Sequence, residues 1–248
     1  MGVSSYHTMF FEKIQGLPEQ FLQARPLDSG GHSWYHGADR ESSLRREGGW
    51  MMRNDWTLPG KIYLLERDPV KCGFLRLYFD RAPEAETVQD GFRHFMETHA
   101  VQCVVSPANA FGLMDGGYDS AITEWFGRQL QRRVQQYILD HFRGEQPVGT
   151  SFLLEAGRDG QSLIHTPTMR TPQRILDARV IYQCMRTTLM CAAEHAVESI
   201  VIPMFGGATG GVRPHLAADM MWRAYAQLKN PPERLDWAYA AEVEIDLP

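Results

Sequence analysis

The chain has 248 residues, 44% of them hydrophobic, and a formal net charge of -5 at pH 7. This length suits one large domain, or one domain with an extension, and is sufficient for a sizeable core. An acidic balance offers no basic surface for a nucleic-acid backbone, so we expect no nucleic-acid partner. Because no apolar run is long enough to cross a bilayer and the N-terminus lacks the features of a signal peptide, we expect a soluble, cytoplasmic protein with no membrane partner.

Four cysteines are scattered along the chain at Cys72, Cys103, Cys184 and Cys191, without a CxxC pair. They lie mostly in apolar surroundings. This pattern predicts reduced thiols in the core of an intracellular protein rather than a zinc site or a set of disulfides.

The first 59 residues differ in composition from the rest of the chain. Turn-rich segments such as Ser29-Gly30-Gly31 alternate with aromatic residues, among them Trp34 and Trp50. We predict an irregular N-terminal extension over residues 1–59 and a main domain over residues 60–248. The aromatic residues of the extension are expected to pack it onto the main domain.

From Lys61 onwards, strand and helix patterns alternate. The predicted strands are 62–65, 87–89, 101–105, 151–155, 163–165 and 200–204, and the predicted helices are 69–79, 120–142, 180–197 and 216–228. Apolar residues at four-residue steps from Ile122 to Phe142 predict one long amphipathic helix. The alternation is typical of an α/β fold in which helices cover both faces of a mainly parallel or mixed sheet.

Two glycine-rich turns each follow a buried strand and precede a helix, the first over Gly112–Asp119 and the second over Phe205–Val212. In open α/β sheets, ligands bind beyond the carboxyl ends of the strands, and amides at a helix start bind anions. Neither turn is a Walker A or a GxGxxG motif, and each alone is also consistent with an ordinary tight turn. Together they predict a diphosphate site.

Four segments then resemble the signature of macro domains, which bind ADP-ribose and in several branches hydrolyse ADP-ribosyl bonds. They are Ser106-Pro107-Ala108-Asn109, Gly116-Gly117-Tyr118-Asp119, Ile164-His165-Thr166-Pro167 and Pro203-Met204-Phe205-Gly206-Gly207-Ala208. The resemblance covers about Lys61 to Leu228 and looks closest to a phage and bacterial-effector-like branch. It implies a three-layer α/β/α mixed sheet with ADP-ribose as the ligand.

The resemblance also implies roles for individual residues. Asn109 matches the asparagine that contacts the distal ribose, and Asp119 matches the loop carboxylate that several hydrolytic members need. Asp115 replaces a loop glycine and adds a second carboxylate, so the candidate catalytic residues are Asp119, Asp115 and Asn109. Asp90 is the best counterpart of the adenine-binding aspartate, with Asp68 as runner-up. The other implied ligand-binding positions are Ala108, Phe111, Gly116, Gly117, Tyr118, Pro167, Gly206, Gly207, Ala208, Thr209, Gly210, Gly211 and Val212.

Ordinary structural roles stand beside these assignments. Asp119 precedes a predicted helix and suits an N-cap, whereas Asp115 and Asp90 suit solvated turns. Asn109 is also a frequent turn residue. His165, on an apolar strand, is more typical of a core histidine than of a catalyst.

The leading functional hypothesis is an ADP-ribosyl hydrolase that releases ADP-ribose from a modified protein, with the loop aspartates positioning a water molecule. The branch resemblance makes an arginine linkage and ubiquitin candidates for the substrate. No metal-ligand spacing is evident, so we predict metal-independent action without a cofactor. The alternatives are a non-catalytic module that binds ADP-ribose and a hydrolase of an ADP-ribose-derived metabolite.

Overall fold

The structure is a computed structural model that describes residues 56–157 and 159–245. The predicted extension over residues 1–59 therefore lies outside the described residues, except for its last four. Of these, Trp56 and Leu58 pack against a hydrophobic cluster of the main domain. Among the described helices, none combines the length and the apolar character needed to cross a membrane.

Six strands form one mixed sheet in the described part of the chain. The strands are β1 (Lys61–Glu66), β2 (Ala85–Gln89), β3 (Cys103–Ser106), β4 (Phe152–Glu155), β5 (Ser162–His165) and β6 (Ser199–Pro203). Their order in the sheet is β2-β1-β6-β3-β5-β4. Every neighbouring pair is parallel except β4 and β5, which are antiparallel. The predicted mixed sheet is confirmed.

Helices cover both faces of this sheet. They are α1 (Pro69–Phe79), α2 (Phe92–Thr98), α3 (Gly117–Phe126), α4 (Gln129–Phe142), α5 (Arg179–Glu194), α6 (Pro214–Lys229) and α7 (Trp237–Glu242). Side chains alternate along a strand, so Ile200 and Ile202 of β6 pack with α1, α5 and α6, whereas Val201 packs with α2, α3 and α4. The result is the three-layer α/β/α arrangement that the sequence predicts.

The prediction of one long helix over residues 120–142 is wrong. Two helices, α3 and α4, occupy this segment, and Gly127 separates them with a φ of +90°. A residue with a side chain rarely adopts that conformation, which explains why the helix ends there. The apolar periodicity continues across the break because Ile122 of α3 and Leu130 of α4 enter the same cluster. The seven-residue helix α2 has no counterpart among the predicted helices.

The topology brings the chain's polar turns together. Because β1, β2, β3, β5 and β6 are parallel, their carboxyl ends and the turns that follow them share one edge of the sheet. β6 lies between β1 and β3, so both glycine-rich turns emerge close to the centre of that edge. All four cysteines are buried and free, as predicted.

Candidate functional site

A cavity of about 490 Å³ opens at the carboxyl ends of the parallel strands. The turns after β1, β2, β3, β5 and β6 contribute to its lining, together with the start of α3. Twelve of the seventeen candidate site residues line it: Asp90, Ala108, Asn109, Asp115, Gly116, Gly117, Tyr118, Asp119, Gly206, Ala208, Thr209 and Gly210. The structure therefore gathers both glycine-rich turns and the acidic residues around one space.

Five candidate ligand-binding residues do not line this cavity: Phe111, Pro167, Gly207, Gly211 and Val212. The ring of Phe111 instead contacts the guanidinium of Arg170, whose Cζ lies 5.1 Å from the ring centroid. The carbonyl oxygen of Pro167 accepts a hydrogen bond from the amide of Gly149 at 2.9 Å. Val212 is buried in the cluster beneath the sheet.

The second glycine-rich turn divides its amides between two roles. The amides of Gly211 and Val212 donate to carbonyl oxygens within the turn, and the amide of Gly207 donates to the carbonyl oxygen of Met204 just before it, at distances up to 3.4 Å. Within the described part of the chain, no backbone hydrogen bond is donated by the amides of the four residues that line the cavity, Gly206, Ala208, Thr209 and Gly210. The inner amides thus hold the turn in shape, and the cavity-lining amides stay available to an acceptor such as a phosphate oxygen.

Close backbone packing explains why this turn needs glycine. A Cβ at position 210 would lie 2.9 Å from the carbonyl oxygen of Gly206 and 2.6 Å from the Cδ1 atom of Ile175. Gly206 itself has a φ of +69°. A side chain at either position would therefore deform the turn.

The first glycine-rich turn leaves the start of α3 open to the cavity. The N-cap is Gly116, which offers no side-chain acceptor, and Gly117 follows with a φ of +56°. The first amides of a helix have no partner within the helix, and this cap supplies none from a side chain. Such a helix start attracts anions. Asp119 is the third residue of α3, so its interpretation as the N-cap is wrong.

Asp119 lines the cavity and is hydrogen-bonded to a buried serine. The hydroxyl of Ser106, at the end of β3, donates to Oδ1 of Asp119 at 2.6 Å. Burial raises the pKa of Asp119 to about 7, and the hydrogen bond from Ser106 opposes this rise. The residue keeps partial exposure, and it lines the cavity. Near neutral pH its carboxyl group is divided between the protonated and ionised forms, as suits a general base.

Asn109 lines the cavity and also holds its own turn together. Its Nδ2 donates to the carbonyl oxygen of Leu113 at 2.8 Å. Its Oδ1 accepts from the amides of Phe111 at 3.1 Å and Leu113 at 3.3 Å. These hydrogen bonds show Asn109 in the role of a turn residue, the alternative to the ribose contact.

Asp90, and not Asp68, belongs to the cavity. Asp90 accepts from the amide of Gly91 at 2.6 Å and pairs with Nδ1 of His94 at 2.5 Å. The hydrogen bond with His94 lowers the pKa of Asp90 and raises the pKa of His94. Asp68 instead caps α1 by accepting from the amides of Val70 and Lys71. The runner-up therefore has a structural role outside the site.

Several lining residues are not among the candidates. They include Glu66, Arg67, Lys71 and Phe92. The two cations stand at the end of β1 and the start of α1, and Lys71 lies 3.8 Å from Glu66. Their position shortly after the predicted strand over 62–65 is the available signal, because ligands bind beyond such strand ends. Ser106 is also absent from the candidates, although it stands at the start of a segment that carries the family resemblance.

Tyr118 contributes a buried hydroxyl group to the site. Its oxygen atom has no hydrogen-bond partner among the described residues. The ring meets Phe92 edge to face, with 5.2 Å between the centroids. Burial raises the pKa of Tyr118, and the negative charges of Asp119 and Glu66 raise it further.

His165 is a core residue, as expected for a histidine on an apolar strand. It is fully buried, and its Nδ1 lies 2.6 Å from Oε1 of Gln146. Burial lowers the pKa of His165 to about 3, so the ring is neutral at physiological pH. Within residues 56–157 and 159–245, no group of three or more His, Cys, Asp or Glu side chains is arranged to hold a metal ion.

Comparison with known proteins decides the family. The family model for the macro domain matches residues 105–221, which include both glycine-rich turns. An uncharacterized protein of Aquifex aeolicus is 30% identical over 119 residues, which is 48% of this chain and 68% of that protein. The chain belongs to the macro domain family.

Solved structures of other macrodomains resemble this macro domain over about half of its length. The Oceanobacillus iheyensis macrodomain mutant G37V with ADPR is 21% identical and has a TM-score of 0.47, covering 53% of this chain and 73% of that one. The macrodomain of Mycobacterium tuberculosis DarG is 18% identical and has a TM-score of 0.46, covering 53% of this chain and 85% of that one.

Proposed function

We propose that this macro domain binds ADP-ribose in its cavity and hydrolyses the bond that joins ADP-ribose to a modified protein. The observation that carries the catalytic part is Asp119, a carboxylate that lines the cavity and whose pKa is raised to about 7. A carboxylate with that pKa accepts a proton efficiently at neutral pH. Asp115 is exposed on the turn above it.

The two glycine-rich turns support a diphosphate site. Residues Ala208, Thr209 and Gly210, whose amides are unpaired, line the cavity together with the start of α3. Arg67 and Lys71 add positive charge at the same cavity. Amides and cations together neutralise a phosphate anion without any help from the negative net charge of the chain.

Asp90 and Phe92 support an adenine subsite at the end of β2. Each oxygen of the Asp90 carboxylate has one partner, Gly91 or His94, and can accept a second hydrogen bond, for which the exocyclic amine of adenine is a suitable donor. Phe92 presents apolar surface beside it. With the diphosphate between the two turns, this orientation leaves the distal ribose near Asp119 and Asn109.

The proposed reaction balances with the residues of the chain. Asp119 takes a proton from a water molecule, and the oxygen of that water bonds to the anomeric carbon of the distal ribose. The glycosidic bond breaks, and its electron pair leaves with the side chain of the substrate protein. That side chain takes up a proton from solvent, and Asp119 returns its own proton to solvent. Positive charge develops on the sugar during this step, and a nearby carboxylate stabilises it. In this proposal Asp115, exposed at the cavity, holds a cationic leaving group such as an arginine guanidinium.

The test compares Asp119→Asn with Asp115→Asn. Both variants are assayed for release of ADP-ribose from proteins modified on arginine, acidic or serine residues, with arginine-modified ubiquitin included. We expect Asp119→Asn to lower kcat by about 100-fold or more and to keep the Kd for ADP-ribose within about tenfold. Asp115→Asn should lose less activity. Unchanged turnover in Asp119→Asn would refute the catalytic assignment.

A reader module without catalysis is the second candidate function. The side chain of Asn109, a candidate catalytic residue, supports it. Both polar atoms of this side chain form hydrogen bonds with Phe111 and Leu113 that stabilise the turn, which argues against a part in catalysis. Micromolar binding of ADP-ribose with no turnover of any linkage would establish this alternative.

Four buried free thiols suit a reducing compartment, so we also propose that the protein acts in the cytoplasm.

A further inference from the structure

The hydroxyl group of Tyr118 is a buried donor without an acceptor among the described residues. Its oxygen is shielded and makes no hydrogen bond there. The ring packs into the cluster on this face of the sheet and meets Phe92 edge to face, so the hydroxyl cannot swing out to solvent without losing these contacts. An unpaired buried polar group destabilises a fold, which makes a bound partner the natural explanation for its presence.

An unpaired acceptor lies in the same cavity, on the next residue. Ser106 occupies Oδ1 of Asp119, and within the described residues Oδ2 accepts no hydrogen bond. Glu66 is already engaged, because its Oε1 accepts from two backbone amides and its Oε2 faces Lys71. Tyr118 and Asp119 both line the cavity, and the negative charge of Asp119 acts on the Tyr118 hydroxyl, so these neighbouring residues hold one unpaired donor and one unpaired acceptor.

The chemistry of this pair selects its ligand. A phosphate oxygen only accepts hydrogen bonds, and the carboxylates of Asp119 and Glu66 would repel it. A hydroxyl oxygen accepts one hydrogen bond and donates another, so a single such atom satisfies both groups. We propose that the Tyr118 hydroxyl donates to one hydroxyl oxygen in the cavity, which in turn donates to Asp119. That oxygen belongs either to the distal ribose or to the attacking water.

The inference rests on the proposed function, and Tyr118→Phe tests it. This change removes the hydroxyl and keeps the ring that packs on Phe92. Tyr137→Phe is the matched control, because Tyr137 packs in the same cluster, stacked on Phe152, and does not line the cavity. Both variants are measured for thermal stability, for ADP-ribose and ADP binding by titration calorimetry, and for turnover.

The two sources of the oxygen give different results. If it belongs to the ribose, Tyr118→Phe weakens ADP-ribose binding by about two- to tenfold and leaves ADP binding unchanged, because ADP lacks the distal ribose. If it is water, both affinities are kept and kcat falls about tenfold. In either case the ligand-free Tyr118→Phe variant is at least as thermally stable as the ligand-free wild type, since a buried unpaired group has been removed.

Other outcomes contradict the proposal. Wild-type ADP-ribose binding together with unchanged affinity and unchanged turnover in Tyr118→Phe would overturn the role of the hydroxyl alone. Failure of the wild-type protein to bind ADP-ribose would overturn the proposed function and this inference with it.

Discussion

Replacing Asp119 by asparagine should stabilise the protein at alkaline pH. The pKa of this carboxyl group is raised to about 7 from its ordinary value of 3.8, because burial disfavours its ionised form. Such a rise corresponds to about 4 kcal/mol of unfavourable free energy for the ionised group. Asparagine has the same shape, is neutral at every pH, and keeps an oxygen that accepts from Ser106.

The sign of the pH dependence follows from the direction of the shift. A carboxyl group with a raised pKa in the folded state keeps its proton there after the unfolded chain has lost it. The folded state is therefore progressively destabilised as the pH rises from about 4 to about 7, and the full penalty is present above that range. The Asp119→Asn variant carries no such penalty, so its stability relative to the wild type increases over the same range.

We expect a measured effect of about 2 kcal/mol between pH 5 and pH 8, because Asp119 keeps partial exposure to the cavity and hydration offsets part of the penalty. Urea unfolding of both proteins at several pH values measures it, and at pH 8 the variant should also melt about 4–8 °C higher. Asp115→Asn, an exposed position on the same turn, serves as the control. A difference that does not change with pH, or an Asp119→Asn variant less stable than the wild type at pH 8, would refute the reasoning.

Three further outcomes are expected. The rate of hydrolysis by the wild type should rise with pH around an apparent pKa near 7. Ser106→Ala should raise this apparent pKa, because the hydrogen bond that it removes favours the ionised form of Asp119. Profiles of rate against pH measure both. Asp90→Asn should weaken AMP and ADP-ribose binding by about tenfold in calorimetry, whereas Asp68→Ala should leave affinity unchanged and cost about 1 kcal/mol of stability through the lost helix cap. Gly210→Ala should reduce ADP-ribose affinity more than about tenfold through its clash with the backbone of the turn, and wild-type affinity in its place would contradict the proposed diphosphate site.

Much of the architecture can be predicted because hydrophobic patterns report burial directly. The alternation of strands and helices predicts the three layers, and the predicted helix over 69–79 coincides with α1 at Pro69–Phe79. The break at Gly127 escapes prediction because the apolar residues of α3 and α4 face the same cluster, so the periodicity crosses the break without interruption. A single glycine decides the backbone there, and periodicity does not register it.

The site is predictable where backbone chemistry marks it and less so where tertiary packing does. Glycines and acidic residues at strand ends identify most of the cavity lining. The pairing of Ser106 with Asp119 depends on how β3 and α3 meet across thirteen residues, and no local pattern encodes that contact. The same holds for Val212, which stands in the second turn but packs inwards beneath it.

Because β6 is central in the sheet and lies late in the sequence, the sheet is completed late in synthesis and folding. β1 and β3 do not pair with each other, and β6, which begins at Ser199, joins them. Before it is synthesised, β1 with β2 and β3 with β4 and β5 are two separate half-sheets. Their inner edges are both unpaired, and contacts between distant parts of a chain form slowly. A chain truncated before Ser199 would therefore expose two strand edges to intermolecular pairing, and it would hold no ligand because the cavity spans the seam that β6 closes.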